Sequence, residues 1–168
     1  MAIAIPTERS VGKRTMEYQT RGRYFEDFAV GETLVSARRT ITEADVVRFA
    51  GLSGDFNPLH TDEIYGQTTP FGARIAHGLL VVAVGSGLVN QAGWFEGTTI
   101  ALLEMTTRFV RPVHFGDTVH QQLEVVARKE SSRPDRGVVT FAATILNQRG
   151  EAVVEGQHVV LLRRRPVE

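Results

Sequence analysis

The sequence predicts an α+β domain in which a curved antiparallel sheet wraps around one buried helix. Residues 78–91 are almost uniformly apolar, interrupted only by small residues at 85–87, and a helix that is apolar on all sides must be buried. Four later segments alternate with the period of two that is typical of strands, and short turns separate them. They cover residues 99–110, 118–129, 137–148 and 152–163. Consecutive strands joined by short turns predict an antiparallel meander that packs on the helix.

The first half of the chain supplies one strand and a second helix. Residues 34–41 form a plausible first strand. Thr42 then suits the N-cap of a helix, since acidic residues follow in the first turn, where negative charge complements the helix dipole. This helix ends near residues 51–54 and delivers Asp55 to the mouth of a loop. Residues 61–76 have a loop composition around one short helical turn, and we expect them to form one wall of a pocket.

Length and composition indicate one domain and exclude several classes of function. A chain of 168 residues with 42% hydrophobic residues can bury one substantial core. Its 19 basic and 19 acidic residues balance, so it lacks the basic field that drives binding to nucleic acid. The absence of cysteine excludes disulfides, thiolate metal sites and a cysteine nucleophile.

The N-terminal residues predict an arm and no targeting signal. Residues 1–23 are polar with little periodicity, so we expect a flexible arm before a domain that covers residues 24–168. The apolar start meets Pro6 far short of the length of a signal-peptide core, and the apolar run 78–89 is too short to span a bilayer. The sequence therefore predicts a cytoplasmic protein without a membrane partner.

The segment 54–60, Gly-Asp-Phe-Asn-Pro-Leu-His, carries the strongest chemical signal. Asp55 and His60 flank an Asn57-Pro58 turn, so they can converge on one small volume. A carboxylate and an imidazole that reach the same water can remove one proton and deliver another elsewhere, as hydration and dehydration require. For an isolated motif of this kind, the structural alternative of an Asp helix cap and an Asn-Pro turn with a surface histidine would usually be favoured.

With its flanks 49–53 and the later segment 75–80, Ile-Ala-His-Gly-Leu-Leu, this stretch resembles the MaoC-like (R)-specific enoyl-CoA hydratases. The resemblance covers residues from about 24 to the C-terminus. It implies a hotdog fold and an acyl-CoA thioester substrate, hydrated from trans-2-enoyl-CoA to (R)-3-hydroxyacyl-CoA or dehydrated in reverse. It further implies that no metal or organic cofactor takes part.

The same resemblance implies roles for three catalytic groups. Asp55 and His60 form the catalytic pair, and Gly78 donates its backbone amide to the thioester oxygen. An amide in the first turn of a helix has no intrahelical acceptor, so it suits an oxygen on which enolate charge develops. The alternative is that Gly78 merely begins the helix while His77 caps it.

A second group of residues is predicted to bind substrate. It comprises Asn57, Phe71, His77 and Ser86. For Asn57, a hydrogen bond within its own turn is the favoured structural alternative. Ser86 lies about 12 Å beyond Gly78 along the helix axis, too far to share its carbonyl oxygen. A supporting hydrogen bond to Asp55 and a bond to the carbonyl of Val82 both remain open.

The remaining histidines and arginines give weaker signals. The other histidines are dispersed without partners at ligand spacing, so no metal site is predicted. Arg74, Arg108 and Arg111 are candidates for coenzyme A phosphates, although most such arginines are simply solvated. Residues 163–165 form a charged run that is typical of a solvating tail.

The sequence leaves two alternative functions open and predicts an oligomer. A hotdog thioesterase would direct its water at the carbonyl carbon and would not need His60. A non-catalytic acyl-CoA-binding subunit would keep the fold only as a scaffold. Single hotdog units leave a sheet edge for a partner, so we expect a homodimer or a dimer of dimers.

Overall fold

The computed structural model describes residues 20–166, and it contains a single antiparallel sheet beside one long helix. In chain order, the elements are a 3₁₀ turn Phe25–Asp27, β1 Thr33–Val35, β2 Arg39–Thr40, α1 Glu43–Ser53, α2 Pro58–Thr61, α3 Glu63–Thr68, α4 Gly78–Gln91, β3 Thr99–Phe109, β4 Thr118–Glu130, β5 Arg136–Leu146 and β6 Ala152–Arg163. The strand order is β1-β4-β5-β6-β3, with β2 also on β4. The predicted hotdog architecture is confirmed.

The four long strands lie close to their predicted limits because their sequence alternates in the way that a half-buried sheet requires. Along β5 every second residue is buried, so one face packs on the core and the other faces outward. The turn from β5 to β6 is specified locally. The side-chain oxygen of Asn147 accepts hydrogen bonds from the amides of Arg149 and Glu151, and Gly150 adopts a positive φ of 76°.

Helix α4 packs one side against the sheet. Leu80, Val81, Val84 and Leu88 are buried there. Gly85 is required at the closest approach, because a Cβ atom at this position would lie 2.4 Å from the side-chain oxygen of Gln121. The prediction of a buried apolar helix is confirmed for the side of α4 that packs on the sheet, whereas Leu79 is 66% exposed.

The prediction of one continuous strand over residues 34–41 is wrong. The chain forms two short strands there, β1 and β2, and both pair with β4. Between them, the hydroxyl of Ser36 accepts the amide of Gln121 and donates to the carbonyl of Ala37. A side chain that takes the place of a backbone acceptor interrupts the ladder, which the alternating pattern alone does not reveal.

The predicted arm lies outside the described residues except for positions 20–23. There the amides of Gly22 and Arg23 donate to the carbonyls of Glu96 and Trp94, each at 2.8 Å. The flexibility of residues 1–23 and the boundary at residue 24 stay predictions. Among the described helices, none is long and apolar enough to cross a membrane.

Candidate active site

Asp55 reaches the site because α1 ends at Ser53, two residues before it. The N-cap Thr42 accepts the amide of Asp45, as its position predicts, and the Asp45 carboxylate accepts the Thr42 amide in return. Burial opposes ionisation of Asp45, but hydrogen bonds from Thr42 and the charge of Arg39 outweigh it and lower the pKa of this carboxyl. At the other end, Gly54 closes α1 in the left-handed conformation. Asp55 is therefore placed in an exposed loop.

His60 lies in a one-turn helix that the sequence interpretation missed. The segment was expected to be a simple turn, but Asn57 caps α2 and Pro58 occupies its first position, where a missing amide costs nothing. The Asn57 side chain accepts the amide of Leu59 at 3.0 Å, which confirms the local alternative for this residue. A substrate contact of Asn57 stays a prediction.

The imidazole of His60 is held in one orientation. Its Nδ1 lies 2.7 Å from the carbonyl oxygen of Ile75, and the side chain is only 9% exposed. A carbonyl oxygen only accepts, so Nδ1 carries the proton in this bond and Nε2 remains available for chemistry.

His77 connects the loop, the small helix and α4. It is 2% exposed, and its Nε2 donates to the carbonyl oxygen of Asp55 at 2.9 Å. Its ring centroid lies 3.8 Å from that of His60 and 5.1 Å from that of Phe49. His77 occupies the N-cap position of α4, as the structural alternative for Gly78 has it, but its side chain forms no cap hydrogen bond.

Gly78 begins α4 as predicted, beside a largely apolar cavity of about 400 Å³. Within residues 20–166, no acceptor receives its amide hydrogen. The cavity is also lined by His60 and Phe71, while Leu79 and Phe109 belong to its apolar walls. The N-terminal end of α4 therefore combines three features: Nε2 of His60, the Gly78 amide and the apolar cavity.

Phe109 is a site residue that the sequence interpretation missed. Its ring covers Gly78 so closely that a Cβ atom there would lie 2.6 Å from the ring atom Cε1. The side chain remains 52% exposed. Nothing in the sequence signals this contact, because Phe109 reads as one more apolar residue at the end of β3.

Ser86 lies apart from the catalytic candidates. It lines a second cavity of about 110 Å³ together with Asn90 and His158. Of the two hydrogen bonds left open by the sequence, to Asp55 and to the Val82 carbonyl, neither occurs in the part of the chain that the structure describes. Its role in substrate binding stays a prediction.

Asp55, His60 and His77 also form a group that could hold a metal ion. Each offers one ligand atom, and these atoms lie within 4.8 Å of one another. Two imidazoles and a carboxylate are a donor set that transition metals accept. The sequence interpretation did not anticipate this group, and its expectation of a metal-free site stays a prediction.

The three candidate phosphate-binding arginines have different surroundings. Arg74 lies between Glu63 and Glu43, each at 2.8 Å, and these hydrogen bonds raise its pKa further above the usual range. Arg108 pairs with Glu155 on the surface. Arg111 borders the 400 Å³ cavity, where its guanidinium donates to the carbonyl of Ala152 at 2.7 Å. Of the three, only Arg111 lines this cavity.

Comparisons with known proteins identify relatives across most of the chain. Residues 27–146 match the family model described as a MaoC like domain. The chain is 37% identical over 142 residues to an (R)-specific enoyl-CoA hydratase of Rhodospirillum rubrum, covering 84% of this chain and 93% of that protein. It is 33% identical to a 3-hydroxybutyryl-CoA dehydratase of Methylorubrum extorquens, covering 88% of each.

A solved structure gives the same result. The (R)-hydratase of Aeromonas caviae superposes with a TM-score of 0.67 at 34% identity. The match covers 84% of this chain and 99% of that one. Fold and sequence therefore agree over nearly the whole length of these relatives.

Proposed function

This chain belongs to the MaoC-like domain family, and we propose that it is a hydro-lyase that adds water to trans-2-enoyl-CoA thioesters. The product is (R)-3-hydroxyacyl-CoA, and the same site performs the reverse dehydration. One observation carries the assignment: Asp55, His60 and the unused Gly78 amide meet at the first turn of α4 beside an apolar cavity. An acyl thioester needs this combination of acid-base groups, an oxyanion donor and an apolar chamber.

Asp55 and His60 act on one water. At the start of the cycle Asp55 is ionised and His60 carries a proton on Nε2 as well as on Nδ1. The Asp55 carboxylate takes a proton from the water as the water oxygen bonds to C3, and His60 delivers its Nε2 proton to C2. A proton then passes from Asp55 to His60, which resets the pair. The Ile75 carbonyl supports this role, since it occupies Nδ1 and leaves Nε2 for the substrate side.

Gly78 stabilises the enolate between these two proton transfers. When the water oxygen attacks C3, the electron pair of the double bond moves towards the thioester oxygen. We assign the Gly78 amide, at the positive end of the α4 dipole, as the donor to that oxygen, because Gly78 is the first residue of α4. Leu79 and Phe109 line the cavity with apolar surface, and less polar surroundings strengthen the hydrogen bond to the developing charge. Phe71, at the rim of the same cavity, contacts the acyl thioester.

The functional unit is a homodimer, or a dimer of dimers built from it. β3 is an edge strand, and it exposes Leu102, Leu103 and Phe109. The outer face of α4 exposes Leu79 and Ala83. Unpaired edges with apolar side chains favour pairing with another strand, and a second copy carries the complementary edge. Analytical ultracentrifugation should give at least twice the monomer mass, and a monomer at micromolar concentration would contradict this assembly.

The decisive experiment follows the fate of an enoyl-CoA in heavy water. Crotonyl-CoA or a longer enoyl-CoA should lose its conjugated absorbance and yield 3-hydroxyacyl-CoA with one deuterium at C2 and no free thiol. Chiral analysis should give the (R) product. Thiol release at the rate of substrate loss would identify a thioesterase instead. Neither reaction across a broad panel of acyl groups would favour the non-catalytic acyl-CoA-binding subunit.

A further inference from the structure

We infer that His77 is a positioning residue that holds both members of the catalytic pair in place, an inference that rests on the proposed hydration. His77 contacts the Asp55 backbone and the His60 ring, and it directly precedes Gly78. One buried side chain thus touches both catalytic side-chain residues and is covalently linked to the third catalytic group.

The first contact fixes the loop that carries Asp55. Residues 53–57 are exposed, and their other bonds around Asp55 are local, from the Asp55 amide to Ser53 and from the Asn57 amide to the Asp55 carboxylate. The Nε2–H of His77 reaches the Asp55 carbonyl from a buried position. A carboxylate on an exposed loop needs such an anchor, because a displacement of about 1 Å can cost about 100-fold in rate.

The second contact fixes the ring of His60. The two imidazole planes are inclined by 30° with centroids 3.8 Å apart, so His77 covers one face of His60. The Ile75 carbonyl restrains the same ring through Nδ1. Together these contacts restrict both the tilt and the rotation of the ring, which sets the direction of Nε2. His77 also accepts the amide of Val81 through its carbonyl, which fixes the backbone where Gly78 begins α4.

Packing alone does not explain a histidine at position 77. Its Nδ1 is buried and has no partner among the described residues, and a buried unpaired polar atom costs stability. A phenylalanine offers a similar flat ring for the contacts with His60 and Phe49 without an unpaired nitrogen. The property that histidine adds is the Nε2–H donated to Asp55. Histidine at position 77 therefore lowers stability through its unpaired Nδ1 but holds Asp55 in place through its Nε2–H.

His77→Phe separates the two roles. It keeps a flat ring and removes the donor, so the thermal midpoint should stay level or rise while kcat falls roughly 10- to 100-fold with KM close to wild type. A purely structural residue would show the reverse, a lower midpoint with unchanged kcat. Wild-type kcat in a folded His77→Phe protein would overturn the inference.

A matched pair keeps the test decisive if the phenylalanine variant fails to fold. His77→Gln retains an amide donor near the position of Nε2, whereas His77→Met has similar length and no donor. We expect a higher kcat in the glutamine variant, and equal values would overturn the inference. His120→Phe is the control, since His120 also has an unpartnered Nδ1 but lies on β4 outside the cavity lining. An equal loss of kcat in this control would also overturn it.

Failure of the proposed function and failure of the positioning role of His77 give different experimental results. An inactive wild-type protein across the enoyl-CoA panel would contradict the proposed function. An active wild-type protein whose His77→Phe variant is equally active would contradict only the positioning role of His77.

Discussion

The two ends of α4 offer a substrate different chemistry, although one apolar segment forms both. At the first turn, the Gly78 amide has no acceptor among residues 20–166, and Gly78 lines a large cavity that His60 also lines. Eight residues later, Ser86 lines a smaller cavity whose polar neighbours are uncharged. Amides beyond the first turn of a helix are occupied by its own carbonyls. The backbone can therefore act as an oxyanion donor only at the end where Asp55 and His60 also lie.

The smaller cavity lined by Ser86, the far cavity, contains polar side chains but no charged ones. Burial lowers the pKa of His158, so its imidazole stays neutral over a wider range of pH. Ser86 and Asn90 add a hydroxyl and an amide. Such groups can shape a cavity and accept or donate hydrogen bonds, but without a carboxylate they do not provide the acid-base pair that hydration needs.

The largest effect should come from removing the acid-base pair at the first end. Asp55→Asn and His60→Ala should each lower turnover by about 10² to 10⁴ or more, measured as loss of enoyl-CoA absorbance. Asp55→Asn should leave the thermal midpoint near wild type because Asp55 is exposed. His60→Ala should lower the free energy of unfolding by about 1 to 3 kcal/mol, since the Ile75 carbonyl loses its hydrogen-bond donor.

Asp62→Asn is the control for the acid-base pair. Asp62 caps α3 from the same region, and asparagine can accept the same amide of Tyr65. Its turnover should stay near wild type. Most of the wild-type turnover in Asp55→Asn or His60→Ala would show that the pair does not perform the chemistry.

The next largest effect should follow loss of the amide donor. Gly78→Pro removes the N–H while proline remains tolerated in a first helical turn, and turnover should fall by about 10²- to 10³-fold. Gly78→Ala keeps the amide but forces the half-exposed Phe109 ring to move, so its loss should be smaller. Equal losses in the two variants would indicate crowding instead of a missing hydrogen bond.

Gly51→Ala is a matched control for the added methyl group. Gly51 is exposed within α1, and a Cβ atom there meets nothing within 4 Å. Stability should rise by up to about 1 kcal/mol, because alanine has the better helix propensity, and turnover should not change. A loss of turnover in this variant would mean that the assay responds to remote helix changes.

A smaller effect is expected at the far end of α4. Ser86→Ala should leave kcat for crotonyl-CoA near wild type, because Ser86 has no hydrogen bond to Asp55 and lines the other cavity. Initial rates with short and long enoyl-CoA substrates would measure this directly. A loss with crotonyl-CoA as large as that of Asp55→Asn would place Ser86 among the catalytic groups.

Burial of His158 in the far cavity should affect how the free energy of unfolding depends on pH. Because burial lowers the pKa of folded His158 below 6.5, the unfolded chain binds its proton first as pH falls. The contribution of His158 to the free energy of unfolding is therefore constant above pH 6.5. As pH falls from 6.5 to the lower folded pKa, this contribution becomes increasingly destabilising. His158→Gln should flatten the loss of unfolding free energy in that window, measured by urea denaturation at several pH values. An unchanged slope would contradict the burial effect.

The smallest effect is expected from removal of metals. Dialysis against EDTA should leave turnover unchanged, since water activation is assigned to Asp55 and His60 without an ion. The close approach of Asp55, His60 and His77 makes this a necessary test. Activity that is lost on dialysis and restored by added zinc would show that these residues bind a catalytic metal.

Local sequence patterns were sufficient to predict the features that depend on neighbours a few residues away. The cap at Thr42, the start of α4 at Gly78 and the alternating strands follow from side-chain chemistry within one turn or one hairpin. The motif at residues 54–60 and the His77-Gly78 pair also carried the resemblance to the family, and with it the hotdog fold. The start of α2 at Asn57-Pro58 was equally local, but its turn chemistry was interpreted too simply.

Packing between distant elements sets which side chains contact one another. The stack of His77 on His60, the Phe109 ring over Gly78 and the exposed outer face of α4 join residues that are distant in the chain or depend on how the helix sits on the sheet. A periodic pattern states which face of an element is apolar, but it does not state what covers that face. The catalytic candidates were thus visible in the sequence, whereas the contacts that hold and enclose them arise from packing between distant elements.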